Sequence, residues 1–279
     1  MAVEAARARE TVRELEKTLK TKPGKLAPER VHKLRTAARR VEAIATAIPI
    51  EDDKEFRRLL KVIAQLRKAA GGVRDMDVLA RNARKLARSV PDESLAKLLK
   101  HIQAAHKKSA TKLERTLQKR RTAVRDHLKK LSKQLGRAAE PQVIPADGRN
   151  GHARKPRSGI ESTARRLARE LGAWPALTAQ NIHEFRLAVK QLRYVLQLIA
   201  SVDEDFLAAL GRTQRRIGEW HDWQQLEEIA IEALDQKKDR ELLLRLGAVV
   251  RENLSRALAT AKELRRRYLH APVTNIQGC

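Results

Sequence analysis

"VHKLRTAARRVEA", residues 31–43, and "IHEFRLAVKQLRY", residues 182–194, carry the same residue types at the same spacing. Each opens on an apolar residue and a histidine, with an arginine three residues later and a second basic residue four further on. A helix turns about 100° per residue. Counted from Val31, Leu34, Ala38 and Val41 share one apolar face. Arg35, Arg39 and His32 fall at about 40°, 80° and 100°, a cationic stripe beside that face rather than opposite it. Arg186, Lys190 and His183 take the same angles in the second stretch. Arg193 adds a further cation at about 20°, where the first stretch has Glu42. A solvated helix scatters its charge over the outer face, whereas a stripe flanking the apolar seam faces whatever the helix packs beside.

A second pair of motifs follows in the same order. "GGVRDMDVL" (71–79) matches "GEWHDWQQL" (218–226) as glycine, two residues, a basic residue, aspartate, and leucine four later. The aspartates Asp75 and Asp222 trail the motif histidines by 43 and 39 residues. Two motifs repeated in order at similar distance predict an all-α chain built as an internally duplicated helical bundle. The expected organisation is a first bundle over 1–137, a flexible linker over 138–159, a second bundle over 160–270 and a disordered tail over 271–279. Helical periodicity breaks at Pro and Gly, so helices are expected to end at Gly71-Gly72 and again near Gly218, though the motif glycine also allows close helix approach. The aspartates are expected to cap the segment that follows or to orient a neighbouring arginine.

Composition narrows the partners. Hydrophobic residues make up 42% of the 279 and aromatics only 3%, so the core must be aliphatic, which suits packed helices. Lys and Arg number 60 against 34 Asp and Glu, a net charge of +26. Residues 100–137 alone hold thirteen Lys and Arg with only Glu114 and Asp126. A chain so charged calls for a polyanion: nucleic acid, an acidic membrane surface or a phosphate polymer. The lone Cys279 rules out an internal disulfide or a cysteine-based zinc site and fits a reducing compartment such as the cytoplasm. Neither a membrane span nor a secretory leader is visible.

These paired motifs resemble the CHAD family, the conserved histidine α-helical domain. The resemblance covers nearly all the chain outside the linker and tail. It implies two pseudo-symmetric four-helix bundles from an internal duplication, with a basic central surface, binding of inorganic polyphosphate and association with polyphosphate granules. The CYTH domain to which the family is often fused is not expected here. By this resemblance His32, Arg35, Arg39, Arg40 and Arg74 from the first motif set, and His183, Arg186, Lys190, Arg193 and His221 from the second, contact polyphosphate; Lys112 and Arg216 join them from the wider basic surface. Glu42 and Gln191 depart from the pattern.

Polyphosphate suits such a surface. It is a thin chain with about one charge per phosphate and no bases to read, met by arginine forks and mobile lysines. Nucleic-acid binding is the competing reading, with nonspecific binding expected at low salt. A phosphohistidine-forming enzyme is a third, because "IHEFRLAV" superficially resembles the phosphoacceptor helix of sensor histidine kinases. Leu187-Ala188 replaces the Thr-Pro of that helix, and no glycine-rich nucleotide loop follows. The expectation is therefore a binding module without cofactor or metal, not an enzyme.

Overall fold

The computed structural model describes residues 2–20, 27–47, 54–87, 92–139, 159–199 and 201–269. As expected, these residues are all-α, with no strand among them. The helices are α1 (Ala2–Lys20), α2 (Pro28–Ala47), α3 (Lys54–Lys85), α4 (Asp92–Ala139), α5 (Gly159–Gly172), α6 (Ile182–Leu196), α7 (Glu204–Ala233) and α8 (Arg240–Leu264). A π-helical turn over Arg265–Leu269 extends α8. Most of the expected linker and all of the expected tail lie outside the described residues.

Apolar residues at steps of three and four give each helix one buried side. On α1 these are Ala8, Val12, Leu15 and Leu19, and on α2 Val31, Leu34, Ala38 and Val41. Proline opens α2, where its missing N–H costs nothing. Asp203 starts α7 by accepting from the backbone N–H groups of Asp205 and Phe206 at 2.9 and 3.1 Å.

α1 to α4 pack around one another in chain order, with α4 returning to α1. α5 to α8 do the same, closed by the π turn against α5. The two groups then meet along α2 with α6 and α3 with α7. One continuous hydrophobic core runs through both groups, from Ala8 on α1 to Leu269 after α8. A second core belongs to neither group. It is built where the α3–α4 and α7–α8 hairpins touch, from Leu79, Leu86, Leu98 and Ile102 against Trp223, Leu226, Leu234 and Leu246. The leucines that close the two Gly-x-x-basic-Asp motifs, Leu79 and Leu226, both sit in it.

Two expected helix ends are corrected. α3 continues unbroken through Gly71-Gly72, and α7 continues through Gly218. Glycine inside a helix costs about 1 kcal/mol relative to alanine, but here each glycine admits a close neighbour. A Cβ on Gly72 would lie 3.3 Å from the Ser109 hydroxyl of α4. One on Gly218 would lie 2.7 Å from the Arg186 guanidinium of α6. Asp75 and Asp222 are therefore mid-helix and cap nothing.

Truncating a residue of the junction core should unfold both groups together. Leu98→Ala empties a site that is fully buried and should cost about 2–5 kcal/mol. Thermal unfolding followed by circular dichroism should show one lowered transition; a separate early transition would mean that the groups melt independently.

Candidate anion site

The four motif-bearing helices α2, α3, α6 and α7 enclose a cleft of about 560 Å³. α2 contributes His32, Arg35, Thr36 and Arg39, and α6 contributes His183, Arg186, Leu187, Lys190 and Tyr194. α3 supplies Arg67, Arg74, Asp75 and Val78. α7 supplies Gln214, Arg215, Gly218, Glu219, His221, Asp222 and Gln225. The stripes seen on the helical wheels thus face each other across the junction of the two groups. The polar walls follow from the packing: Leu79 and Leu226 anchor α3 and α7 in the junction core, and one turn earlier Asp75 and Asp222 reach the cleft.

Of the expected contact residues, His32, Arg35, Arg39, Arg74, His183, Arg186, Lys190 and His221 line this cleft. The other four do not. Arg40 points the other way and pairs with Glu14 of α1 at 2.8 Å. Arg193 lies just beyond the cleft and donates to the Gln214 side chain at 3.3 Å. Arg216 pairs with Glu219 one turn on, at 2.9 Å. Lys112 lines a separate groove on α4. The motifs did not reveal Arg67, Arg215, Tyr194, Gln214 or Thr36. Thr36 and Tyr194 belong to the quoted stretches but are neither histidine nor basic, and the other three lie on α3 and α7 outside the repeated motifs.

The two motif arginines are held differently. Arg35 meets Asp75 at 3.4 Å, the orienting role expected of that aspartate. Arg186 lies on the bare backbone at Gly218 and donates its Nε–H to the Gln214 carbonyl at 3.2 Å. Further along the cleft, Glu42 pairs with Arg67 at 2.7 Å. In the second motif set, Arg193 and Gln214 occupy the matching positions. The pairing is kept while the cation moves from α2's partner helix to α6 itself, which accounts for Glu42 as a departure from the pattern. The rings of His183 and His221 meet edge to face with centroids 4.3 Å apart, and His183 Nδ1 is buried without a hydrogen-bond partner.

The cleft holds more positive charge than its carboxylates neutralise. Burial, then the neighbouring Arg74, Arg35 and Arg39, lowers the pKa of His32. Burial and Arg186 lower that of His183. Burial, His183 and the arginines bring His221 down to about 4. Arg39 drops to about 10, mainly through burial and then Arg35. Burial raises Asp222 to about 6 although Arg186 opposes it. At neutral pH the imidazoles are therefore uncharged while the guanidinium groups, crowded and half-buried, stay charged. Such an arrangement stores repulsion that an anion relieves.

The CHAD domain family model matches residues 6–230. No curated protein matches the chain significantly. The crystal structure of the CHAD domain from the plant Ricinus communis superposes with a TM-score of 0.62 at 18% identity, over 95% of this chain and 91% of that one. PptA from Streptomyces chartreusis superposes with a TM-score of 0.61 at 15% identity, over 95% of this chain and 98% of that one. At these identities the likeness is one of fold.

Removing one cation should release the histidines. In Arg186→Ala, the His183 and His221 pKa values should both rise, because a neighbouring positive charge that disfavours the imidazolium is gone. An NMR titration of the ring nitrogens reads this directly; unchanged values would show that burial alone sets them.

Proposed function

Because the chain belongs to the CHAD family, we propose that the cleft between α2, α3, α6 and α7 binds inorganic polyphosphate. The observation that supports this best is the enclosure of matched cations from both motif sets in one narrow cleft with few carboxylates. Arg35, Arg39, Arg74 and Arg186 are its fixed charges. Their planar forks suit phosphate oxygens, and Lys190, buried at 6% exposure, adds a cation at the cleft wall. A thin chain of phosphates enters where a stiff duplex is too wide. The ligand displaces Asp75 from Arg35 rather than finding a free arginine, since 3.4 Å is a loose pair that a phosphate can outcompete. On this reading the protein is a binding module rather than an enzyme, and polyphosphate granules are where it would be recruited.

Arg35→Ala with Arg186→Ala should weaken polyphosphate binding strongly, by about 1–3 kcal/mol per charged hydrogen bond lost. His32→Ala with His183→Ala should cost less at pH 7.5. Isothermal titration at physiological salt, with duplex DNA as competitor, checks both. Equal losses from duplex and polyphosphate competition would favour the nucleic-acid reading. A stoichiometric, acid-labile phosphoryl adduct on His32 or His183 after incubation with labelled polyphosphate would instead make the protein an enzyme.

Gly218→Ala separates site from fold. Alanine gains helix propensity, so stability should move by no more than about 1 kcal/mol. The new methyl must push the Arg186 guanidinium aside, so polyphosphate affinity should fall severalfold in a protein of near-normal melting temperature. Unchanged affinity would remove Arg186 from the contact set.

Affinity should also depend on pH. A bound polyanion favours the imidazolium, so each histidine has a higher pKa in the complex than in the free protein. Protons are then taken up on binding, and affinity rises as pH falls. Asp222 works in the same direction, since its protonation below about 6 removes a repelling charge. Binding should be tighter at pH 6 than at pH 8, and calorimetry in buffers of different ionisation enthalpy should register the uptake. A flat profile would place the histidines outside the ligand's field.

A further inference from the structure

We propose that the outer face of α4 is a second binding surface, separate from the cleft, for duplex nucleic acid without regard to sequence. α4 runs over 48 residues, a rod of about 70 Å. Lys107, Lys108, Lys112, Arg115, Lys119 and Arg120 are exposed along it and line a shallow groove of about 840 Å³. Among the described residues none of these six has a carboxylate within ion-pair distance.

The groove is not an extension of the cleft. The only residue α3 adds to the groove is Gln65, whereas Arg67 and Arg74 of the same helix line the cleft. On a helix Gln65 lies about 160–180° from those two arginines, so α3 stands between the sites.

The chemistry selects among polyanions. Lys108, Lys112, Arg115 and Lys119 fall within about 60° of one another around the axis and step along it by about 4.5–6 Å. A duplex carries one phosphate charge per strand for every ~3.4 Å of its axis, a density that lets such a row of cations meet several phosphates where the backbone crosses it. The groove is shallow and open, so it encloses a thin, flexible chain poorly, whereas a stiff, broad duplex can lie against several of its cations at once. No aromatic residue lies in the groove to stack an unpaired base. Among the described residues the exposed large hydrophobics are Leu187, Ile231 and Leu244, none of them on α4, so this face offers nothing to enter a bilayer. The Thr111 and Thr116 hydroxyls are engaged by the carbonyls of Lys107 and Lys112 at 3.0 and 2.7 Å. What remains is flexible point charge, which holds a phosphate backbone and reads no sequence.

The test uses the full chain with all four of Lys108, Lys112, Arg115 and Lys119 changed to Gln. These side chains are exposed, and circular dichroism verifies the fold. Fluorescence anisotropy with a short labelled duplex of arbitrary sequence should show binding by the wild type at near-physiological salt. The variant should bind the duplex at least about tenfold more weakly, and its log–log salt slope should be shallower by roughly 3–4. Polyphosphate affinity should stay within about threefold of wild type, and saturating polyphosphate should leave the duplex bound. The proposal is overturned if the wild type fails to bind the duplex, if the variant binds it normally, or if polyphosphate displaces it. Parallel loss of polyphosphate affinity in the variant would also overturn it, since α4 would then belong to the cleft. Failure of the cleft to bind polyphosphate at all would leave the duplex measurements standing on their own.

Discussion

Everything about the cleft depends on a guanidinium lying against a helix backbone that carries no side chain. At Gly218 the Arg186 side chain comes so close that a single methyl would strike it. At Gly71 the same contact with Arg35 is looser, at 3.7 Å from a built Cβ. A glycine in mid-helix is a local cost. It is kept here because it lets α6 approach α7 and lets a long cation fold down into the joint instead of reaching for water. The basic stripe thereby becomes the lining of a recess rather than a fringe on a surface. Once there, the cations depress one another's proton affinity and that of the three histidines beside them.

This joint is rigid for a second reason. α3 and α7 each serve two neighbourhoods. One end packs with its own group of helices, and the other end is locked into the junction core through Leu79 or Leu226. The cleft walls are mid-sections of those same rods. A cavity lined by so much like charge would be expected to spread, and the apolar clamp one turn away opposes that spreading.

The period of the apolar residues made the all-α fold legible, and the wheel angles made the stripe legible, because both are properties of a single helix. Arg40 was legible too, in the negative. At about 180° from Val31 it lies off the stripe, and it is found paired with Glu14. Arg216 carried a similar signal in Glu219 three residues on. The helix ends at the glycines were misread because a glycine's local tendency is to end helices; the close approach it also allows is the use found here, against a residue some thirty positions away. Arg67 and Arg215 belong to the cleft through the crossing of α3 and α7 with their partners. No spacing within one segment encodes that crossing. The exchange of Glu42 and Arg67 for Arg193 and Gln214 was half visible: one partner looked like an anomaly, and only the pairing explains it.

That exchange has a consequence for any linear ligand. The two sides of the cleft are not equivalent, because the first motif set presents its extra cation from α3 and the second has it just outside on α6. A polyphosphate chain has no direction, since read from either end it is the same molecule. It would therefore occupy an unsymmetrical channel in two threading senses of identical chemistry, and the complex would keep that degeneracy as entropy. A polymer with a head and a tail would have to choose one.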